Sequence, residues 1–288
     1  MARTDDVRTA VFKKLYPVEF LRRHLYEEVR EDGRGLLDAR DAMVASGIIS
    51  HSRGSALVRL GSGTMVVAAV TANISPTQHG RPSEGYVVPS VDMSPIASPQ
   101  YKMGPPGDEA QALTRKLQTF LDSSNVVPRT ALEIAHDAAV WCLYVDIVVL
   151  SADGGLLDAA ALAAVAALKD TTLPKAVYDV DTRKCVCEDT YKPLELACQP
   201  TLVTFVIYDS YVNANRTYLL ADPNAFEESL ISAKIEIGIG SDDPTYLLQT
   251  GNCTALDLDS QERISNAQLI EKCVTLARSR AAALRRLL

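Results

Sequence analysis

Histidine is scarce in this chain, and nothing in its pattern brings a nucleophile to it. His24, His51, His79 and His136 are scattered over 288 residues. No serine or cysteine lies in a recognisable elbow, so a hydrolytic triad has no sequence support. Metal-binding spacing is also absent. The six cysteines are Cys142, Cys185, Cys187, Cys198, Cys253 and Cys273. Cys185-Val186-Cys187 is a C-x-C unit with no second pair and no histidine nearby, so reduced thiols are expected, with no metal and no cofactor. Long apolar runs are missing too. The longest, 138–150, is interrupted by Asp146 and too short to cross a bilayer, and the amino terminus has no signal-peptide core. A soluble intracellular protein with no membrane contact is expected. Positive charge is in deficit: 29 basic against 36 acidic residues give a net charge of -7. Such a surface repels polyanions, so any nucleic-acid contact must be local or shared with a partner.

What the chain does have is ordinary globular composition, 47% hydrophobic and 23% charged, with length for one large or two modest domains. Phe12, Leu15, Phe20, Leu21, Leu25 and Tyr26 predict short amphipathic helices over residues 1–30, broken at Pro17 and packed on the body of the protein. Arg30-Glu31-Asp32-Gly33-Arg34 is a turn signal. Beyond it, Ser55–Leu60 and Thr64–Val70 flank Gly61-Ser62-Gly63 as a hairpin. Seven of the fourteen prolines fall within 73–107, where no period persists and loops are predicted.

From Gly107 the pattern turns helical. Ala110, Leu113, Leu117, Phe120 and Leu121 recur on one face behind the acidic first turn of Asp108 and Glu109. A buried strand over 140–150 then turns through Asp153-Gly154-Gly155 into an alanine-rich helix over 156–168. A Gly-Gly turn opening a helix presents free N–H groups and the positive end of the dipole, a ready anion site. Here Leu156, Leu157 and Asp158 follow, and they offer a phosphate neither hydroxyl nor guanidinium.

Downstream, a short strand (176–180), a polar loop, runs at 201–208, 217–221 and 231–239, and a helix over about 260–286 complete the chain. The order predicts two similar α+β halves with the boundary between Leu173 and Pro200.

Four pieces carry a family resemblance: Arg30–Arg34, the strand Gly54–Gly61, the loop Gly104-Pro105-Pro106-Gly107-Asp108-Glu109-Ala110-Gln111, and Trp141-Cys142-Leu143-Tyr144-Val145-Asp146. As an ordered set covering most of the chain, they resemble the RNase PH-like family, and more closely its eukaryotic exosome ring subunits. The resemblance implies an α+β RNase PH-like fold (ribosomal protein S5 domain 2-like) of two halves, each a mixed or antiparallel sheet with packed helices. The expected division is a helical extension over 1–30, a first domain over 31–190 and a second over 191–288.

It also implies a hetero-hexameric ring of RNase PH-like subunits with S1/KH caps, RNA threading a shared channel, associated hydrolytic exoribonucleases, and residence in nucleus, nucleolus and cytoplasm. Active members bind phosphate through arginines in the helix matching 107–123 and a Ser/Thr-Arg pair after Asp-Gly-Gly. Those places hold Asp108, Glu109, Leu156 and Leu157 here, so no catalytic residue is expected. Two aspartates serve metal-assisted acid catalysis in active members. Asp222 matches the second; Asp209 is a candidate for the first, but Tyr211–Arg216 lengthens the hairpin between them.

Arg22, Arg23, Arg81, Lys102 and Arg115 are candidate contacts for RNA or a neighbouring subunit, against the plainer alternative of solvated surface charge. Three functions stay open: a non-catalytic ring scaffold, an active phosphate-dependent 3'-to-5' exoribonuclease, and a protein-interaction module unrelated to RNA.

Overall fold

In the structure, a computed structural model, residues 2–77, 81–179, 184–210, 216–241, 243–251, 255–256, 263–264 and 266–288 are described. Two helices, α1 (Ala2–Leu15) and α2 (Pro17–Tyr26), precede the first sheet. Pro17 separates them because it sits at the first position of α2, where its missing N–H would have no partner anyway. Phe20, Leu21 and Leu25 are buried on one face of α2.

The first sheet contains β1 (Ala42–Ser46), β2 (Gly54–Leu60), β3 (Thr64–Ser75), β4 (Tyr86–Met93), β5 (Glu133–Ala135) and β6 (Ala139–Ser151). Its order is β1-β2-β3-β6-β4, with β5 also on β6. β2 and β3 form the predicted hairpin, with Leu57 opposite Val67.

One strand corrects the expectation of loops over 73–107. β4 lies parallel to β6 with Pro89 opposite Val145. Proline is tolerated there because β4 is an edge strand that pairs on one side only. Its alternation survives: Val91 and Met93 enter the core while Val88, Ser90 and Asp92 face outward.

Two helices cover the inner face. Leu117, Phe120 and Leu121 of α3 (Asp108–Ser123) join the main core. Helix α4 (Leu156–Lys169) is buried from Leu157 through Leu168 apart from Asp158 at its first turn among the apolar positions. It lies between β2 and β3 on one side and β9 (Thr201–Ser210) on the other, and its alanines let both backbones come close. A hairpin of β7 (Thr172–Asp179) and β8 (Lys184–Pro193) follows, so part of the predicted polar loop is a strand. It escaped prediction because β8 is exposed at nearly every position and shows no alternation.

The second sheet is antiparallel, ordered β10-β9-β11-β12. It adds β10 (Arg216–Ala221), β11 (Ala233–Ile239) and β12 (Pro244–Gly251) to β9, with the single-turn helix α5 (Ala225–Glu228) between β10 and β11. Helix α6 (Asn266–Arg285) lays Leu269, Cys273, Ala277 and Ala281 against this sheet. It starts later than the expected residue 260. On the opposite face Leu21 and Leu25 of α2 pack with Val206, Tyr208, Tyr218 and Leu220, so the amino-terminal helices dock on the second half.

Candidate functional site

The Asp153-Gly154-Gly155 turn joins the first sheet to α4, and both glycines have positive φ, +72° and +61°. A Cβ on Gly154 would stand 2.5 Å from the Asn224 carbonyl carbon and 2.6 Å from the Pro223 oxygen. The turn therefore presses backbone against backbone on the segment that carries Asp222. The glycines serve that approach.

Arg40 binds the two segments together. Its Nη1 donates to the Asp153 carbonyl at 2.8 Å, and its Nη2 and Nε donate to the Asp222 carboxylate at 2.6 and 3.0 Å. The Arg40 backbone N–H donates to the same carboxylate at 2.7 Å. Asp222 is buried, with positive φ of 48°. Burial opposes its ionisation, but the hydrogen bonds and charge of Arg40 prevail and hold the carboxyl below the usual carboxylate range. A second buried pair stands beside it. Arg30, from the predicted turn signal, is ion-paired with Glu227 and donates to the Ala221 and Asp222 carbonyls at 2.7 and 3.0 Å. Glu227 closes a capping box with Asn224, which fixes α5.

At the start of α4 one backbone N–H is taken by a carboxylate of the protein itself. Gly155 N–H donates to Glu228 at 3.3 Å. Glu228 continues a chain of charges: Lys234 lies 3.1 Å from it and 3.4 Å from the buried Glu236, which Lys116 of α3 reaches at 2.9 Å. Asp158, one turn into α4, accepts from the Thr204 N–H at 2.9 Å and the Thr204 hydroxyl at 2.6 Å. A groove of about 610 Å³ beside the turn is lined by Lys13, Arg34 and Arg40 and by Glu31, Asp32, Asp41 and Asp153. Each of the three cations is already ion-paired: Lys13 with Glu31 at 2.6 Å, Arg34 with Asp32 at 2.5 Å, Arg40 with Asp222 at 2.6 Å. A phosphate entering here would compete with carboxylates.

This arrangement sits on a chain whose residues 38–174 match the 3' exoribonuclease family, domain 1 (RNase PH). Over 273 residues, 94% of each chain, it is 32% identical to a Schizosaccharomyces pombe protein named exosome complex component rrp43. The chain belongs to the RNase PH family. It is 34% identical to the exosome complex component Rrp42 of Thermococcus gammatolerans, over 74% of this chain and 75% of that one. Among solved structures, an Archaeoglobus fulgidus exosome with RNA bound to its active site superposes with a TM-score of 0.77 at 26% identity, covering 97% of this chain and 98% of that one. An archaeal exosome core shares the fold, with a TM-score of 0.72.

Within the RNase PH fold the predicted positions fall as follows. Leu157 is a core residue and Leu156 is half-buried at the helix start. Asp108 and Glu109 are exposed on the first turn of α3. Asp209 lies on β9 opposite Thr217, and 211–215 of the hairpin insertion lie outside the described residues. The five basic candidates do not converge. Arg22 and Arg23 both pair with Glu19 on α2, and Arg81 pairs with Glu84. Lys102 and Arg115 are exposed, on the loop before α3 and on α3 itself. Arg40, Lys116, Glu228, Lys234 and Glu236 were not singled out by the sequence. Of this network only the Asn224-x-x-Glu227 capping pair carries a local sequence signal, and that signal was not used.

Asp158 gives the site a measurable signature. Burial pushes its carboxyl up to about 7, the nearby Asp222 charge adds to this, and Thr204 and Lys234 oppose it. A raised carboxyl binds its proton more tightly when folded. Its favourable contribution is therefore complete below the unfolded value near 3.8 and is lost as pH rises to about 7. The loss is on the order of 4 kcal/mol. An asparagine can satisfy Thr204 through both amide atoms without charging. Asp158→Asn is expected to flatten the pH dependence of the urea midpoint between about pH 4 and 7; an unchanged slope would assign that titration elsewhere.

Proposed function

We propose that this chain is a non-catalytic structural subunit of an exosome ring. It supports 3'-to-5' RNA processing and degradation by building the wall of the RNA-threading channel alongside other RNase PH-like subunits, S1/KH caps and associated hydrolytic exoribonucleases. The similarity to exosome components over nearly the whole chain supports the assembly. One observation carries the absence of chemistry: Asp222, the carboxylate that matches a catalytic aspartate, has its charge and both oxygens committed to Arg40. An acid held below its normal range and enclosed by a guanidinium is poorly suited to deliver a proton or hold a metal. Glu228, on the Gly155 N–H, adds a negative charge beside the turn that an incoming phosphate would meet.

The fold is consistent with a division into an extension over 1–30 and two RNase PH-like halves over 31–190 and 191–288. The first sheet is complete at β6 and the second opens at β9. Lys102 and Arg115, exposed and without an ion pair among the described residues, are the basic candidates freest for a contact with RNA or a neighbouring subunit. Similarity to an exosome component of a eukaryote supports residence in nucleus, nucleolus and cytoplasm.

The test is phosphate-dependent release of nucleoside diphosphates from RNA by the purified chain. None is expected, and release above background would favour an active phosphorolytic enzyme instead. Purification without any RNase PH-like or S1/KH partner would favour an interaction module unrelated to RNA.

A further inference from the structure

Cys185 and Cys187 lie on β8, and neither belongs to the Arg40–Asp222 network. Successive side chains of a strand point to opposite faces, so these two thiols share one face. Register puts Cys185 opposite Tyr178 and Cys187 opposite Ala176 on β7. Ala176 packs against the main core, so this face of the hairpin leans towards the body of the protein. The Val177–Val186 pair on the other face is 48% and 62% exposed and turns to solvent. Cys185 is half-buried and Cys187 exposed, and both are free thiols. Burial pushes the Cys185 thiol up, and the charge of Cys187 adds to this, so the two groups lie within each other's field.

Spacing decides what such a pair can hold. Two steps along a strand separate the Cα atoms by about 6.6 Å, and side chains pointing the same way keep the Cβ atoms about as far apart. A disulfide needs Cβ atoms about 3.8 Å apart, so β8 would have to bend before these sulfurs could join. An ion placed between the sulfurs removes that demand. With metal–sulfur bonds of about 2.3 Å, a linear two-coordinate ion spans up to about 4.6 Å from sulfur to sulfur, which two side chains leaning together on a regular strand can reach. Among the described residues no group of three or more His, Cys, Asp or Glu side chains could hold a metal ion. Structural zinc and iron–sulfur clusters take four protein ligands, so the pair does not suit them. The missing second pair, which counts against zinc, is no obstacle to an ion that needs two sulfurs.

We propose that Cys185 and Cys187 form a two-coordinate thiolate site for a soft monovalent cation, copper(I). Thiolates select soft ions of this kind over the hard cations that prefer oxygen ligands. Binding is ligand exchange without a change of oxidation state. Each sulfur gives its proton to solvent as its bond to copper forms, and the resulting complex carries one net negative charge. The site does not depend on the ring-subunit reading and would stand if that reading failed.

The test titrates the purified full-length chain, reduced and kept free of oxygen, with copper(I) in competition with bicinchoninate. One copper(I) per chain is expected, and X-ray absorption at the copper edge should show two sulfur neighbours. Cys185→Ser and Cys187→Ser should each weaken binding about a hundredfold or more, because the second sulfur no longer acts within the same molecule. Cys198→Ser is the control: its hydroxyl can keep the bond that the Cys198 thiol donates to the Ser124 carbonyl, and it should bind copper as wild type does. Alkylation of the folded wild-type chain, mapped to Cys185 and Cys187 by mass spectrometry, should abolish binding as well, which keeps the test valid if a variant misfolds. Binding that survives the double substitution or the alkylation, or copper with three or more ligands, would overturn the inference. So would loss of the metal to an equimolar amount of bicinchoninate, which would mean an adventitious ion only.

Discussion

Asp222→Ala is expected to destabilise the protein by about 3–5 kcal/mol, because it strands a buried guanidinium. Arg40 would lose the acceptor of two side-chain hydrogen bonds and one backbone bond, at 2.6, 3.0 and 2.7 Å. In a chain of this size that corresponds to a fall of roughly 5–8 °C in melting temperature. Arg40→Met should cost a similar amount, since it leaves the carboxylate buried without its cation. The Arg40→Met/Asp222→Leu double variant should lose clearly less than the sum of the two, because the penalty belongs to the unpaired charge. Thermal unfolding of the four proteins tests this. A catalytic carboxylate kept for chemistry predicts the opposite pattern, with stability unchanged or raised when it is removed.

The second large effect belongs to Gly154. Alanine there would need a left-handed backbone at φ +72° and would place its Cβ 2.5 Å from the Asn224 carbonyl carbon. Both atoms in that clash are fixed by backbone, so the turn or the Asp222 segment must move. A loss of roughly 3–5 kcal/mol, or no folded protein, is expected from strain and overpacking together. Gly107→Ala is the control: its φ is -68° and nothing lies within 4 Å of the added methyl. Soluble yield and unfolding midpoint should collapse for Gly154→Ala and hold for Gly107→Ala. Equal behaviour would mean that the Gly-Gly turn is not needed to hold the two halves together.

How much of this was legible depended on whether the information was local. The β2–β3 hairpin, α3, β6 and α4 were readable because their periodicity runs unbroken and their ends carry turn chemistry. β4 was hidden by Pro89, which reads as a breaker until the strand is seen to be an edge. β8 was hidden by its exposure, since a strand with no buried face has no alternation to read. At the site, the missing phosphate ligands were visible from the resemblance, at Leu156, Leu157, Asp108 and Glu109. What replaces the phosphate was not. Arg40 and Asp222 are 182 residues apart, and Gly155 and Glu228 are 73 apart. No helical or strand period links such pairs, and only the fold makes them neighbours. Asp222 was therefore legible only as a residual match to a catalytic position, with no catalytic role expected of it, and in the structure it is one half of a buried ion pair.

Replacement of a phosphate site by internal ion pairs is the centre of this account. It is tested most directly by measuring phosphate-dependent release of nucleoside diphosphates from a single-stranded RNA by the assembled complex, with wild-type chain and with Asp222→Asn. Asparagine keeps an acceptor for Arg40 and cannot act as an acid. The account predicts no release that depends on this residue: whatever rate the complex shows is the same with both chains. A phosphate-dependent rate that Asp222→Asn abolishes, in a complex of unchanged composition, would contradict it.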